Sequence, residues 1–352
     1  MSDLLAREGF RLATNHEDKV AEAATLFARG RTGASPLAAA TLQEAFTTSD
    51  FPSLLGDAFQ RQAVAAQQAA VREFAPILSD VTVDSFGRRK LNDLWAGDAF
   101  ELVREGEEYK GGTLNETDVE HGPEKYGRVY GLTWELIRDR RFADLANFPL
   151  LLGNGAVKGE NKAVTDTLVK DQAWNPEFFP AVDNKPLTVE NLQAAMAQLA
   201  ATLNHRGEMV PTGRLVLVHA PALTPQVQRI LNADTIDIVE GKTTIKVANP
   251  FRGVVTSLAA ESLGTALGAN GSTAWALLQA DGSGLPSLVR TLLSGHENVD
   301  IRVKKDQGSY VGGGDVPVEA GSFKDDTVWF RGRAVYGIDA AFTEGAYASA
   351  GA

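Results

Sequence analysis

The chain has 352 residues, 44% hydrophobic and 22% charged, which excludes disordered, collagen-like and disulfide-scaffold classes and suffices for two compact domains or one elongated subunit. Its 34 basic against 45 acidic residues give a net charge of -11, so the surface repels polyanions unless cations segregate onto one face, and sequence-specific DNA binding is not expected. The absence of cysteine excludes disulfides, thiolate catalysis and cysteine-ligated zinc, and fits a reducing cytoplasm.

From the N-terminus, Leu4, Leu5, Leu12, Val20, Ala24 and Leu26 recur among charges and predict a weakly amphipathic helix over about Asp3 to Arg29. The stretch carries charges throughout and lacks the ~7-residue apolar run of a signal peptide, and no later window approaches the ~20 apolar residues that span a bilayer. A small, polar linker, Gly30 to Pro36, separates this arm from the rest. Thr47 to Asp50 then offer N-caps ahead of a helix carrying Leu54, Leu55, Phe59, Val64 and Val71, expected to run to Phe74 and stop at Pro76.

Between Asp84 and Lys125 the composition changes to 6 basic and 11 acidic residues in 42 positions, close to twice the chain-wide charge density. Large apolar side chains are sparse there, so the segment cannot bury a core of its own. Strand-like pieces such as Ala99 to Arg104 and turn signals at Gly106 and Gly111-Gly112 predict a long two-stranded excursion. Its basic start, Arg88-Arg89-Lys90, complements its acidic later part, Glu101 to Glu120, in a way that suits contacts between copies; the alternative is a solvated loop.

A short helix is expected over Thr133 to Asp139 and a turn over Phe142 to Asn147, followed by a long helix from Phe148 to Asp171 closed by Pro176 and Pro180. Thr188 caps another helix with Leu192, Met196, Leu199 and Leu203. Arg214 to His219 reads as a buried strand, and Pro225 opens a helix ending near Asn232. Ile236 to Val247 forms a hairpin about Glu240-Gly241, with further strands at Val254-Val255 and Trp275 to Leu278. Val299, Ile301 and Val303 alternate with polar residues and pair with Thr327 to Tyr336 across the Gly308 to Gly321 loop. No repeat of ~20 to 50 residues is evident, which excludes solenoids and propellers.

Catalytic and cofactor motifs are decoys. Gly241-Lys242-Thr243 resembles the end of a phosphate loop, but Ile236 stands where its first glycine belongs and the flanks read as strands. Gly153, Gly155 and Gly159 miss the dinucleotide spacing by one residue and are better explained by close helix packing. His16, His121, His205, His219 and His296 are scattered without metal-ligand spacing, and His219, at the end of a buried strand, reads as a hydrogen-bonded structural residue. Ser85 lacks the first glycine of a nucleophile elbow, and Asn115 and Asn270 match glycosylation acceptors only by chance. No catalytic, cofactor-binding or metal-ligating residue is assigned, and no enzyme activity or cofactor is expected.

The order of these elements, arm, charged excursion, long helix, α/β segment and late two-strand return, resembles the major capsid proteins of tailed bacteriophages, the Hong Kong 97-type fold. Leu136 to Phe148 leading into Gly159 to Lys162 is similar to the approach to the spine helix in relatives of the Mu-like head subunit. Leu215 to Leu223 with Val227 to Asn232, then Asn249-Pro250-Phe251-Arg252-Gly253, then Trp275 to Leu278, resemble further strings of that group. The resemblance covers about Thr47 to Thr343, and the arm before it has no counterpart.

It implies an α+β fold with an N-terminal arm (1–50), the start of a peripheral domain (51–83), an extended loop (84–125), the peripheral domain with its spine helix (126–186), an axial α/β domain (187–293), peripheral strands (294–340) and a C-terminal tail (341–352). The implied function is a major head protein that assembles in the bacterial host cytoplasm and resides in the virion. It would form hexamers and pentamers of an icosahedral shell around double-stranded DNA. Implied partners are copies of itself, scaffolding protein, portal, a decoration protein and packaged DNA held non-specifically, with no membrane. Lys19 and Arg29 are candidate DNA contacts. Lys90, Lys110 and Lys125 fall in the loop where some members form isopeptide bonds, which is not expected here. The alternatives are an encapsulin-like shell that encloses cargo and an α/β enzyme with an unrecognised site.

Overall fold

The structure is a computed structural model and describes residues 51–92, 102–106, 108–109, 111, 116–135, 142–203, 209, 213–240, 243–282, 286–316 and 320–351. The expected arm helix, Lys19 and Arg29 lie outside these residues. In chain order the elements are α1 (Phe51–Ala69), β1 (Leu78–Val83), β2 (Arg89–Asn92), β3 (Glu116–His121), β4 (Glu124–Thr133), α2 (Phe142–Leu168), β5 (Val169–Lys170), β6 (Ala173–Trp174), β7 (Val182–Asp183) and α3 (Val189–Ala200). They continue with β8 (Leu215–His219), α4 (Thr224–Asn232), β9 (Thr235–Glu240), β10 (Thr243–Ala248), β11 (Val255–Ala259), α5 (Glu261–Leu267), β12 (Trp275–Gln279), β13 (Leu288–Leu293), β14 (Asp300–Val303), β15 (Thr327–Ala340) and β16 (Tyr347–Ser349). The chain is α+β. No helix among the described residues is long and apolar enough to cross a membrane.

The described residues divide into two compact units, one within 51–71, 125–159 and 295–335, the other within 72–124, 160–294 and 336–351. In the first, α1 and the leading part of α2 pack through Gly153, where an added Cβ would lie 2.3 Å from the Ala63 carbonyl oxygen. Gly155 faces open space, so the close-packing account holds for Gly153 alone of these two. Phe330 of β15 meets Phe59 at 6.4 Å and Phe148 at 5.0 Å between ring centroids, and Phe148 meets Tyr130 of β4 at 5.7 Å. β14 pairs antiparallel with β15, as the alternation predicted. Two glutamines of α1, seven residues apart and so two turns apart on one face, bind the backbone at the start of β14: Gln67 Oε1 accepts from Val299 N at 2.8 Å, just before the strand, and Gln60 Oε1 from Ile301 N at 2.8 Å, within it.

The second unit holds a five-stranded mixed sheet in the order β11-β8-β12-β16-β7. Period-2 geometry explains the unbroken apolar run of β8. Leu215 and Leu217 join Leu192 and Leu199 of α3, Val227 and Leu231 of α4, Trp275 and Tyr347 in one core. Val216 and Val218 join Val164 and Leu168 of α2, Leu263 and Leu267 of α5, Phe178 and Phe179 in another. Helices on both faces of one sheet give the α/β layering expected after Thr188, whose Oγ1 caps α3 by accepting from Asn191 N at 3.2 Å.

Several boundaries differ from the sequence reading. α1 ends at Ala69, before Pro76, which sits in a single 3₁₀ turn. α2 runs without a break from Phe142, with Pro149 inside it at the cost of one backbone hydrogen bond. It ends at Leu168 because the next residues close a two-residue hairpin in which Asp171 and Gln172 both take positive φ, 52° and 61°, the conformation that matches strand twist. The terminal stretch contributes β16, hydrogen-bonded to β12 and β7.

Candidate assembly ribbon

The two described ends of the charged excursion form a two-stranded ribbon: β2 and β3 pair antiparallel, with Arg89 opposite His121 and Lys90 opposite Glu120. Leu102 to Arg104, the described part of the strand expected from Ala99, is not in a strand. Lys90 facing Glu120 sets opposite charges across the ladder where apolar side chains are scarce. The complementarity expected between copies is therefore partly used within one chain. Ala99 to Glu101, Lys110 and the segment 112–115 fall outside the described residues. Lys125 is the second residue of β4, exposed. Among the described loop residues Phe86, Leu102 and Tyr109 project large apolar side chains, exposed by 55%, 87% and 87%, more than an isolated subunit needs.

The base of the ribbon is fixed. Arg88 Nη2 donates to Asp339 Oδ1 of β15 at 2.6 Å and to the Glu120 carbonyl at 3.1 Å, and Gly122 N donates to the second oxygen of Asp339 at 3.2 Å. The Asp339 hydrogen bond raises the Arg88 pKa and keeps the guanidinium charged. Gly122 and Gly337 allow backbones to touch, since a Cβ on Gly337 would lie 1.9 Å from the Gly122 carbonyl oxygen. His121 is buried with Nδ1 2.9 Å from Thr291 Oγ1, and desolvation pushes its pKa below the usual histidine value, with Asp339 opposing and Arg88 and Arg89 assisting. Sequence reasoning missed this anchorage because Asp339 is 251 residues from Arg88.

Other buried polar groups are structurally engaged. His219 Nδ1 lies 2.8 Å from the Ala220 carbonyl and Nε2 2.9 Å from Ser257 Oγ, which fits a neutral ring donating through Nδ1 and accepting at Nε2. Burial lowers its pKa, in accord with the structural role read from the sequence. Glu160 of α2 accepts from Arg72 at 3.0 Å and Arg290 at 3.1 Å, and Arg290 also forks onto Asp80, joining the helix to β1 and β13. Asn249 donates to the carbonyls of Ile230 at 2.7 Å and Ala233 at 2.9 Å, closing the C-terminus of α4, and accepts from Phe251 N at 3.0 Å. Gly253 at φ 79° completes that turn. At the decoy phosphate loop, β9 and β10 pair antiparallel from Glu240 opposite Thr243, so strands flank it on both sides as the sequence suggested, and Gly241-Lys242 lies outside the described residues. No group of three or more potential metal ligands occurs among the described residues.

Among solved structures, the capsid of an empty GTA particle is 13% identical over 82% of this chain and 89% of that chain, with a TM-score of 0.43. A virus-like particle from Pyrococcus furiosus is 9% identical over 83% and 97%, at 0.45, and a Mycobacterium phage Bobi chain is 10% identical over 80% and 90%, at 0.46. No curated protein matches the sequence. The sequence model of a family described as phage capsid protein matches residues 116–349, from the first residue of β3 to the last of β16. That match covers well over half of the polypeptide, and the chain belongs to the phage capsid protein family.

Proposed function

We propose that this chain is the major head subunit of a tailed double-stranded DNA bacteriophage, assembling as hexamers and pentamers into an icosahedral shell of the virion. Family membership over residues 116–349 carries this reading. A charged ribbon with exposed apolar side chains and an anchored base supports it, because a shell needs wide self-complementary surfaces whose modest contacts add up under closed symmetry. Residues 84–125 are the loop laid over a neighbour, 187–293 the axial domain at capsomer centres, and 51–83, 126–186 and 294–340 the peripheral domain. The subunit acts structurally, without catalysis. Its partners are further copies, scaffolding protein, portal and a decoration protein, and it assembles in the host cytoplasm.

Electron microscopy of the purified protein tests the reading, with closed shells or capsomer rings expected and monomers alone overturning it. Deleting Glu105 to Glu116 should leave a soluble, folded subunit that no longer closes shells. Normal heads from that deletion would remove the role assigned to the ribbon.

A further inference from the structure

The outward face of the β14–β15 hairpin concentrates positive charge in a chain of net charge -11. Its register sets Arg302 directly opposite Arg331 and Asp300 opposite Arg333, so three guanidinium groups share one face with one carboxylate. The alternate residues serve the core, Phe330 through its aromatic contacts and Gly332 by admitting Leu152, whose Cδ2 would lie 2.7 Å from an added Cβ. Like charges directly across an antiparallel ladder destabilise it, so the Arg302 and Arg331 pair is not explained by the stability of the subunit.

Asp300 does not neutralise the face, because its Oδ2 is shared by Arg302 at 3.0 Å and Arg333 at 2.8 Å. Lys304 beside them is balanced by Asp306. Arg331 is exposed and makes no ion pair among the described residues. A cavity of about 240 Å³ opens at one end of the stripe, lined by Gln60, His296, Asn298, Asp300, Arg302 and Arg333. Arg333 Nε is buried beside it with no acceptor, which leaves a cation with unused hydrogen-bonding capacity. β4, which also pairs with β15, adds exposed Lys125 and Arg128 to the same sheet.

We infer that this hairpin face binds the phosphate backbone of double-stranded DNA, through Arg302, Arg331 and Arg333, and is the side of the subunit turned towards the packaged genome. Guanidinium forks match phosphate oxygens and carry no base information, which suits a shell that touches any sequence. With only two or three phosphates engaged per subunit, each contact is weak and salt-sensitive, and the array of copies supplies the rest. The inference rests on the capsid reading and deepens it.

Binding of a short DNA duplex to the full-length chain, followed by fluorescence anisotropy across a salt series, tests it. Arg302→Gln/Arg331→Gln should weaken binding at least about tenfold at low salt and flatten the slope of log affinity against log salt by about 2. Lys158→Gln/Lys162→Gln, which removes the same charge from exposed positions of α2, should bind as the parent does. Equal losses in both variants, or none in the arginine variant, overturn the inference. Shell formation by each variant is the second readout: arginine-variant shells should form, and their loss with duplex binding intact would make the face a subunit contact and overturn it. Absence of shells from the parent chain would instead count against the capsid reading, while the anisotropy comparison still decides the DNA contact.

Discussion

The side-chain oxygen of Gln67 accepts the backbone N–H of Val299 at 2.8 Å, across 232 residues of sequence. Gln67 is 2% exposed, so the side chain acts as a stand-in for a neighbouring strand along the backbone that leads into β14. Gln67→Leu keeps the bulk and strands a buried N–H. It should cost about 1–3 kcal/mol, read as a lower denaturant midpoint with an unchanged slope.

Gly153 and Gly155 should respond in opposite directions to alanine. Gly153→Ala drives a methyl into the Ala63 carbonyl and should destabilise by about 1–3 kcal/mol through forced separation of the helices. Gly155→Ala meets nothing within 4 Å and should stabilise by about 0.5–1 kcal/mol. Thermal melting of the two variants checks the contrast, with a lower midpoint expected for Gly153→Ala and a higher one for Gly155→Ala.

Asn249→Ala leaves the carbonyls of Ile230 and Ala233 without their donor and frees the turn before Gly253. A loss of about 1–3 kcal/mol is expected. Hydrogen exchange should show faster opening of 227–233 while β1 and β13 keep their protection.

The two buried histidines set an acid limit. Burial lowers the pKa of His219 and of His121 in the folded chain, so the unfolded chain binds more protons once the pH falls below about 6.5. Stability should be flat in this respect above that value and should fall as the pH drops from it towards the folded pKa values. His219→Gln should flatten the slope between about pH 6.5 and 5 in denaturant titrations. An unchanged slope would contradict a neutral buried ring.

Asp339→Asn removes the charge that holds Arg88 while keeping a side chain of the same shape. The Arg88 side chain is 47% exposed, so the loss of global stability should stay within about 1 kcal/mol. The local effect should be larger: amide exchange at Gly122 and through β3 should accelerate, and shell yield should drop with the fold intact.

Elements whose code is local were legible in the sequence. Thr188 announced α3, the apolar run before His219 announced β8, and the alternation after Val299 announced β14. The charge density of 84–125 marked a segment without a core of its own, but it did not separate ribbon from solvated loop, and the described residues hold both. β13 was not legible, since Arg290 interrupts its apolar run and only Asp80 and Glu160, 210 and 130 residues away, make that charge acceptable in a packed sheet. β16 is three residues long and owes its strand character to partners on both sides. The ribbon's anchorage and the arginine face of β14–β15 depend on register and on distant residues, which a single sequence does not display.

Ser349 ties β16 to the chain beyond β7, accepting from Lys185 N and donating to the Lys185 carbonyl 164 residues away. A polypeptide emerging from the ribosome therefore carries an unfinished sheet, with β7 unpaired, until residues 347–349 are made. Contacts of such long range close late and at a large entropic cost. A chain stopped before Tyr347 would therefore leave β7 and one edge of β12 without their partner strand.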